Sequence, residues 1–439
     1  MSSVASSTGE TTTWSGAEEQ LEIEGGYPLS GQVQVSGSKN AMLPLLSACL
    51  LTGEAIRLRN VPSLQDTHTM LRLLSGLGAA VTTDGSTVDV QCDRVDGRAA
   101  EYKLVKRMRA SILVLGPLLG RFGEARVALP GGCAIGPRPV DLHLKGMQTL
   151  GASIHIENGE VVARAARLKG ARIVLDIASV GATENLLMAA ACAEGETEIV
   201  NAAQEPEIGA LCRLLQQMGV KIEGIDSGRL RIEGRRDLRG ADMEVLPDRI
   251  ESGTWLFATA AAGGDVFVRG AVAEHLDVPI EHLRALGATV EARSDGVRVA
   301  AQGRPRPGDF RTYPYPGYPT DLQSQAMAVL ARATGTSRIT ETVFENRFQH
   351  AGELVRLGAK ITVDGSVAHV EGVEHLEGAP VEASDLRAGA GLVIAGLMAR
   401  GKTTVGGLIH LDRGYENLVQ KLSGLGARVR RTAVAEEFA

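Results

Sequence analysis

Cys133 lies in Pro130-Gly131-Gly132-Cys133-Ala134-Ile135-Gly136-Pro137-Arg138-Pro139, a stretch with neither helical nor strand periodicity. The glycines and prolines suggest an exposed loop, and Arg138 supplies a cation that would favour thiolate. Cys133 is therefore a candidate reactive thiol; the alternative is a buried, inert one. Lys39 and Asn40 follow Ser36-Gly37-Ser38 at a strand-to-helix junction, where a lysine and the first amides of a helix could share an anion. A solvated surface lysine is the other reading. Asp321 stands in Tyr318-Pro319-Thr320-Asp321, where pattern alone favours a helix cap. Arg387 in Ser384-Asp385-Leu386-Arg387 and Arg413 in Leu411-Asp412-Arg413-Gly414 each sit beside a carboxylate that could orient the guanidinium toward an anion or form a surface ion pair.

One motif is rejected. Gly396 to Thr403 matches the phosphate-cradling GxxxxGK[ST] loop letter for letter. That loop works only between a strand and a following helix whose amides face the phosphates. Here the apolar helical pattern precedes Gly401 and the alternating Thr403-Thr404-Val405 follows it, so the polarity is reversed.

The elements that carry these residues repeat. A helix ending in Leu-Gly-Ala or Met-Gly-Val runs into an alternating strand at Gly78, Gly151, Gly219, Gly287, Gly358 and Gly426, spaced by 73, 68, 68, 71 and 68 residues. Each glycine supplies the positive φ of a helix C-terminal turn. A second glycine (Gly53, Gly123, Gly195, Gly264, Gly335, Gly401) follows an apolar helix and opens another strand, 25, 28, 24, 23, 23 and 25 residues upstream of the first. The second unit is the longest, and its extra residues fall in the Cys133 stretch. Six units of mixed strands and two helices predict an α/β fold of two domains with three units each. The expected division is a tail over 1–20, an N-terminal strand over 21–37, domains over 38–246 and 247–432, and a tail over 433–439.

At 439 residues the chain exceeds one typical core. Its formal charge of -6, with mixed signs along the chain, argues against nucleic-acid or membrane-surface partners, and any anionic ligand must meet local cations. The five cysteines (Cys49, Cys92, Cys133, Cys192, Cys212) are odd in number and show no CxxC spacing, so neither a disulfide framework nor a zinc site is expected. The apolar runs fall short of a membrane span, and the Ser/Thr-rich start has no signal-peptide pattern. A cytoplasmic protein without a membrane partner is the expectation.

The runs SGSKNA at 36–41, MRAS at 108–111, PGGCAIGPRPVDLH at 130–143, SVGAT at 179–183, EPEI at 205–208, PDRIE at 247–251, YPTD at 318–321, ETVFENRF at 341–348, SDLRA at 384–388 and DRGYE at 412–416 resemble the UDP-N-acetylglucosamine 1-carboxyvinyltransferases. The resemblance is colinear from about Leu21 to Arg431. It implies an inverted α/β barrel in two domains, with helices inside, the N-terminal strand joining the C-terminal domain, and a substrate cleft between the domains under the cysteine loop. The implied reaction moves the enolpyruvyl group of phosphoenolpyruvate onto the 3-hydroxyl of UDP-N-acetylglucosamine, releasing phosphate, as the first committed step toward peptidoglycan. No cofactor or metal and no obligate protein partner is implied.

By the same resemblance Cys133 is the proton donor and Asp321 the general base, with Lys39 and Arg413 also in the catalytic set. Phosphoenolpyruvate falls to Lys39, Asn40, Arg138, Arg387 and Arg413. The sugar nucleotide falls to Arg109, Arg138, Pro139, Val140, Asp141, Leu142, Ser179, Val180, Gly181, Asp321 and Val343. One departure is Ile177-Ala178, where some members carry a lysine two residues before Ser-Val-Gly, which puts nucleotide affinity in question. A paralogue acting on another nucleotide or sugar, or a catalytically silent regulatory paralogue, remains an alternative; the shikimate-directed relatives lack the cysteine loop.

Overall fold

A computed structural model describes residues 19–95, 99–100, 108–129 and 140–433. Cys133, Arg138, Pro139 and the rest of the 130–139 insertion lie outside the described residues, as do residues 1–18 and 434–439.

The repeat glycines do what their spacing predicts. Gly78, Gly151, Gly219, Gly287, Gly358 and Gly426 all have φ between 90° and 106°. In five of the six units the strand after this glycine forms an antiparallel hairpin with the next one, as Ala80–Asp84 does with Thr87–Gln91. The upstream glycines are less uniform: Gly123, Gly195, Gly264 and Gly401 have positive φ, whereas Gly53 and Gly335 do not.

These strands form six four-stranded sheets, each a parallel pair joined to an antiparallel hairpin or its equivalent. In the first unit Ala241–Glu244 runs parallel to Ile56–Arg59, which pairs with Thr87–Gln91 and through it with Ala80–Asp84. Helices fill the space behind the sheets. In the second half Arg249–Ala262, Gln323–Leu330 and Leu386–Met398 are buried almost all round, and they pack against one another. A helix apolar on every side belongs inside a protein core.

Two hydrophobic cores result. One is built from residues between Ala41 and Val245, the other from Leu21 to Val35 together with Ile250 to Ala427. The N-terminal segment gives two strands where one was expected. Glu19–Glu24 lies between Lys402–Gly406 and Arg428–Ala433, antiparallel to both, and Leu29–Gln34 runs parallel to Gly264–Arg269. The break between them follows from Gly26, at φ 89°, and Pro28, which supplies no amide hydrogen. Glu19, Gln20 and Ala433, expected in the tails, belong to strands.

The chain crosses between the two cores twice, and the crossings lie side by side. Ser38 N donates to Leu246 O at 2.7 Å, and Asp248 N donates to Ser36 O at 2.9 Å, around a Gly37–Pro247 bridge. A Cβ on Gly37 would fall 1.8 Å from the Asn60 carbonyl oxygen, so this approach requires glycine. The first helix of each half, Lys39–Ala48 and Arg249–Ala262, therefore starts at the same place in the molecule.

The rejected phosphate loop has the reversed polarity read from the sequence. Helix Leu386–Met398 precedes Gly401, and strand Lys402–Gly406 follows it.

Candidate active site

Two helix starts meet at the paired crossings, where Ser38 and Asp248 take up first-turn amides. Ser38 Oγ accepts from Ala41 N at 3.2 Å, and Lys39 N donates to Asp248 Oδ2 at 3.1 Å. Asp248 also caps its own helix, accepting from Ile250 N and Glu251 N at 2.8 and 2.9 Å. The Lys39 and Ala41 amides are thus already paired, and the lysine side chain is the charged group this junction offers to an anion.

That side chain reaches across to helix Gln65–Gly76. Lys39 Nζ lies 2.9 Å from Asp66 Oδ2. Arg413, from the other half, donates through Nε to Asp66 Oδ1 at 3.0 Å and through Nη2 to Oδ2 at 3.3 Å. Burial would raise the Asp66 pKa, but Lys39 and Arg413 outweigh it and hold the carboxyl below its usual range. The expected orienter of Arg413, Asp412, instead pairs with Arg431.

A second cluster forms around Asp321. The residue is not a helix cap: it lies in the single turn Thr320–Leu322, and helix Gln323–Leu330 begins without a side-chain cap. Its carboxylate accepts from Arg347 Nη2 at 2.8 Å and from Arg387 Nη2 at 2.9 Å. Both arginines are buried. Asp385, the expected orienter of Arg387, caps its own helix by accepting from Arg387 N and Ala388 N at 2.8 and 3.1 Å. An N-cap carboxylate faces the amides and is not free to orient a neighbouring side chain. Burial works against the charge on Arg387, but Asp321, Tyr415 and Asp248 raise its pKa further.

Tyr415 links the clusters. Its hydroxyl accepts from Arg387 Nη1 at 3.4 Å, and it is two residues from Arg413. Contacts on the same segment dock the halves: Glu416 accepts from Ser63 N at 2.7 Å, and Gln65 N donates to Asp412 O at 3.3 Å. A buried Arg249–Glu207 pair, 3.0 Å apart, is a further contact between them.

Of the described residues assigned to a nucleotide, all but Asp321 and Val343 lie on the first half. Val140 precedes helix Asp141–Thr149, whose first turn holds Asp141 and Leu142, and Ser179 caps helix Val180–Ala190. Buried His143 joins these helices, its Nδ1 lying 3.0 Å from Asn185 Nδ2. Asn185 Nδ2 also donates to Ile112 O at 2.9 Å, tying in the turn Arg109–Val114. Gly181 lies against the same ring: a Cβ there would stand 3.4 Å from it. Val343 comes from the other half, its amide donating to Glu341 Oε1 at 2.9 Å.

Sequence reasoning assigned no role to Asp66, Arg347, Asp248 or Tyr415. Arg347, Asp248 and Tyr415 stand inside runs that carried the resemblance, which was the available signal. Asp66 had none, because an acid in the first turn of a helix is ordinary.

Residues 23–422 match the family model of EPSP synthase (3-phosphoshikimate 1-carboxyvinyltransferase). Among solved structures, the enolpyruvyl transferase NikO from Streptomyces tendae superposes with a TM-score of 0.87 at 29% identity, covering 95% of this chain and 100% of that one. Two structures of EPSP synthase from Acinetobacter baumannii share the fold, with TM-scores of 0.74 and 0.73 at 18% and 19% identity; they cover 94% of this chain and 100% and 99% of theirs. The sixfold α/β repeat in two domains is thus the architecture of solved enolpyruvyl transferases, and with 23–422 matched the chain belongs to the EPSP synthase family of enolpyruvyl transferases.

Proposed function

We propose that the protein transfers the enolpyruvyl group of phosphoenolpyruvate to the 3-hydroxyl of UDP-N-acetylglucosamine, releasing phosphate, in the cytoplasmic route to peptidoglycan. The observation that carries this reading is the convergence, in a net acidic chain, of Lys39, Arg413, Arg387 and Arg347 from both halves around two carboxylates. A ligand with a phosphate and a carboxylate needs such a set.

Lys39, Asn40, Arg138, Arg387 and Arg413 hold phosphoenolpyruvate. Cys133 gives a proton to the vinyl CH2, the neighbouring carbon becomes electron-poor, and the sugar hydroxyl attacks it as Asp321 takes the hydroxyl proton. The tetrahedral ketal then loses the methyl proton and phosphate, restoring the double bond. Arg109, the stretch from Arg138 to Leu142, Ser179 to Gly181, Asp321 and Val343 bind the sugar nucleotide. The test is phosphate release on mixing the protein with both substrates, against controls lacking either. No release above the controls rules out this acceptor.

A second reading keeps the chemistry and changes the acceptor. Ile177, 65% exposed, stands two residues before the Ser179 cap, where the resemblance would place a lysine near the diphosphate or uracil. Running the same assay with a series of other nucleotides and sugars separates the two readings by which acceptor supports release.

A further inference from the structure

Asp66 stands between the two cations that the proposed function gives to phosphoenolpyruvate, and its placement exceeds what a helix-start acid needs. An acid in a first turn gains from the helix dipole while exposed. This side chain is 5% exposed, beneath Lys39 at 13% and Arg413 at 33%, so the carboxylate lies inside and the cations lie outside it. Its Oδ2 takes both Lys39 Nζ, at 2.9 Å, and Arg413 Nη2, at 3.3 Å, so the two nitrogens are at most about 6 Å apart. One phosphate or carboxylate can bridge such a gap with charge-assisted hydrogen bonds. Without the carboxylate, two like charges at that separation would repel each other and take other rotamers.

We propose that Asp66 is a positioning residue for the substrate anion: it fixes Lys39 of one half and Arg413 of the other at the spacing that grips one anion, and so makes anion affinity depend on the docked halves. This rests on the reading of the site as a phosphoenolpyruvate site. Two cations against one carboxylate leave one net positive charge for the ligand. Because Arg413 shares its segment with Glu416, which accepts from Ser63 N, the same docking that brings Arg413 to Asp66 is held by a second contact.

The test is calorimetric titration of the full chain and of Asp66→Asn with phosphoenolpyruvate and, separately, with inorganic phosphate. KM values for phosphoenolpyruvate and for the acceptor, and melting curves, accompany it. The expected result is at least a tenfold loss of phosphoenolpyruvate affinity and a matching rise in its KM. The acceptor KM should stay within about twofold and the melting transition should remain cooperative. In the Arg413→Gln background the Asp66→Asn loss should shrink, because Asp66 acts through Arg413. If Asp66→Asn does not fold, Asp66→Glu serves: it keeps the charge, moves both cations by one methylene, and should lose affinity for the anion only. Unchanged anion affinity in a folded variant, or losses that add fully with Arg413→Gln, would overturn the proposal. Wild-type protein that binds neither anion removes the site reading and this inference together. Wild-type binding without turnover on UDP-N-acetylglucosamine removes only the acceptor, and the comparison with Asp66→Asn still decides.

Discussion

Asp321 accepts from two buried guanidiniums, and in the proposed role of general base it must be freed before it takes a proton. Arg387 is also assigned to phosphoenolpyruvate, so an arriving anion competes with Asp321 for it and leaves the carboxylate with Arg347 as its chief holder. Asp321→Asn keeps the size and one acceptor oxygen, sets its NH2 against one of the two guanidiniums, and cannot accept the proton, so turnover should drop by a factor of about 100 or more with substrate binding largely kept. A drop under tenfold in a folded variant would make Asp321 a tether for the two arginines and nothing more. Cysteine chemistry gives a second residue-scale test. Burial pushes the thiols of Cys92 up to about 11 and of Cys192 and Cys212 up to about 12, and it raises that of Cys49 well above its usual range. These four should be inert. Fosfomycin, an epoxide that mimics phosphoenolpyruvate, should label Cys133 alone, and faster with UDP-N-acetylglucosamine present. Cys133→Asp should escape the label while keeping activity, since a carboxylic acid can also donate the proton. Peptide mapping decides, and a label spread over several cysteines would remove the assigned role.

Helices Asp141–Thr149 and Val180–Ala190 carry residues proposed for the nucleotide on their first turns, and buried His143 fixes one against the other through Asn185. Burial, then the nearby Arg109 charge, lowers the His143 pKa to about 4 from 6.5, against a smaller opposing effect of Asp141. The folded state therefore keeps this ring neutral. Above pH 6.5 neither state is protonated and the packing counts in full; between 6.5 and 4 the unfolded chain takes up the proton and that stability is lost. Other buried groups titrate in the same range, so the measurement is a difference: wild type should lose denaturation free energy relative to His143→Gln as pH falls through this window. A constant difference would mean that the ring is charged in the fold. This arrangement marks the limit of what the sequence showed. The helix ends and turns were legible, because Gly78 and its five counterparts need a conformation that other residues resist. The orienting partners were not. Asp385 and Asp412 stand two and one residues before their arginines in sequence, yet cap geometry and Arg431 take them, while Asp321 and Asp66 orient Arg387 and Arg413 from distant segments. Adjacency along a chain says little about which carboxylate a guanidinium meets after folding, and the helix cap read at Asp321 failed for the same reason.

The molecule is built from six four-stranded sheets around two cores, and only one core draws on both ends of the chain. The first core uses residues from Ala41 to Val245 and includes its own parallel edge strand, Ala241–Glu244. The second needs Leu21, Ile23, Leu29, Val33 and Val35, all at most 4% exposed. Burying one such side chain contributes about 1.5–3 kcal/mol, so five together match the net stability of a typical domain, about 5–15 kcal/mol. A fragment of residues 247–433 should therefore fail to fold, having lost the strand between Lys402–Gly406 and Arg428–Ala433, whereas 38–246 should fold alone. The register supplies the repair. Glu19 lies directly opposite Ala433 in an antiparallel pair, so a turn of about two to four residues can join them. The permuted chain 247–433, turn, 19–35 should regain a cooperative melt. Circular dichroism melts of the three fragments test these proposed boundaries. If 247–433 melts as cooperatively, and at the same temperature, without the N-terminal strands, then the second core does not need them and the joining of the N-terminal segment to this half is wrong.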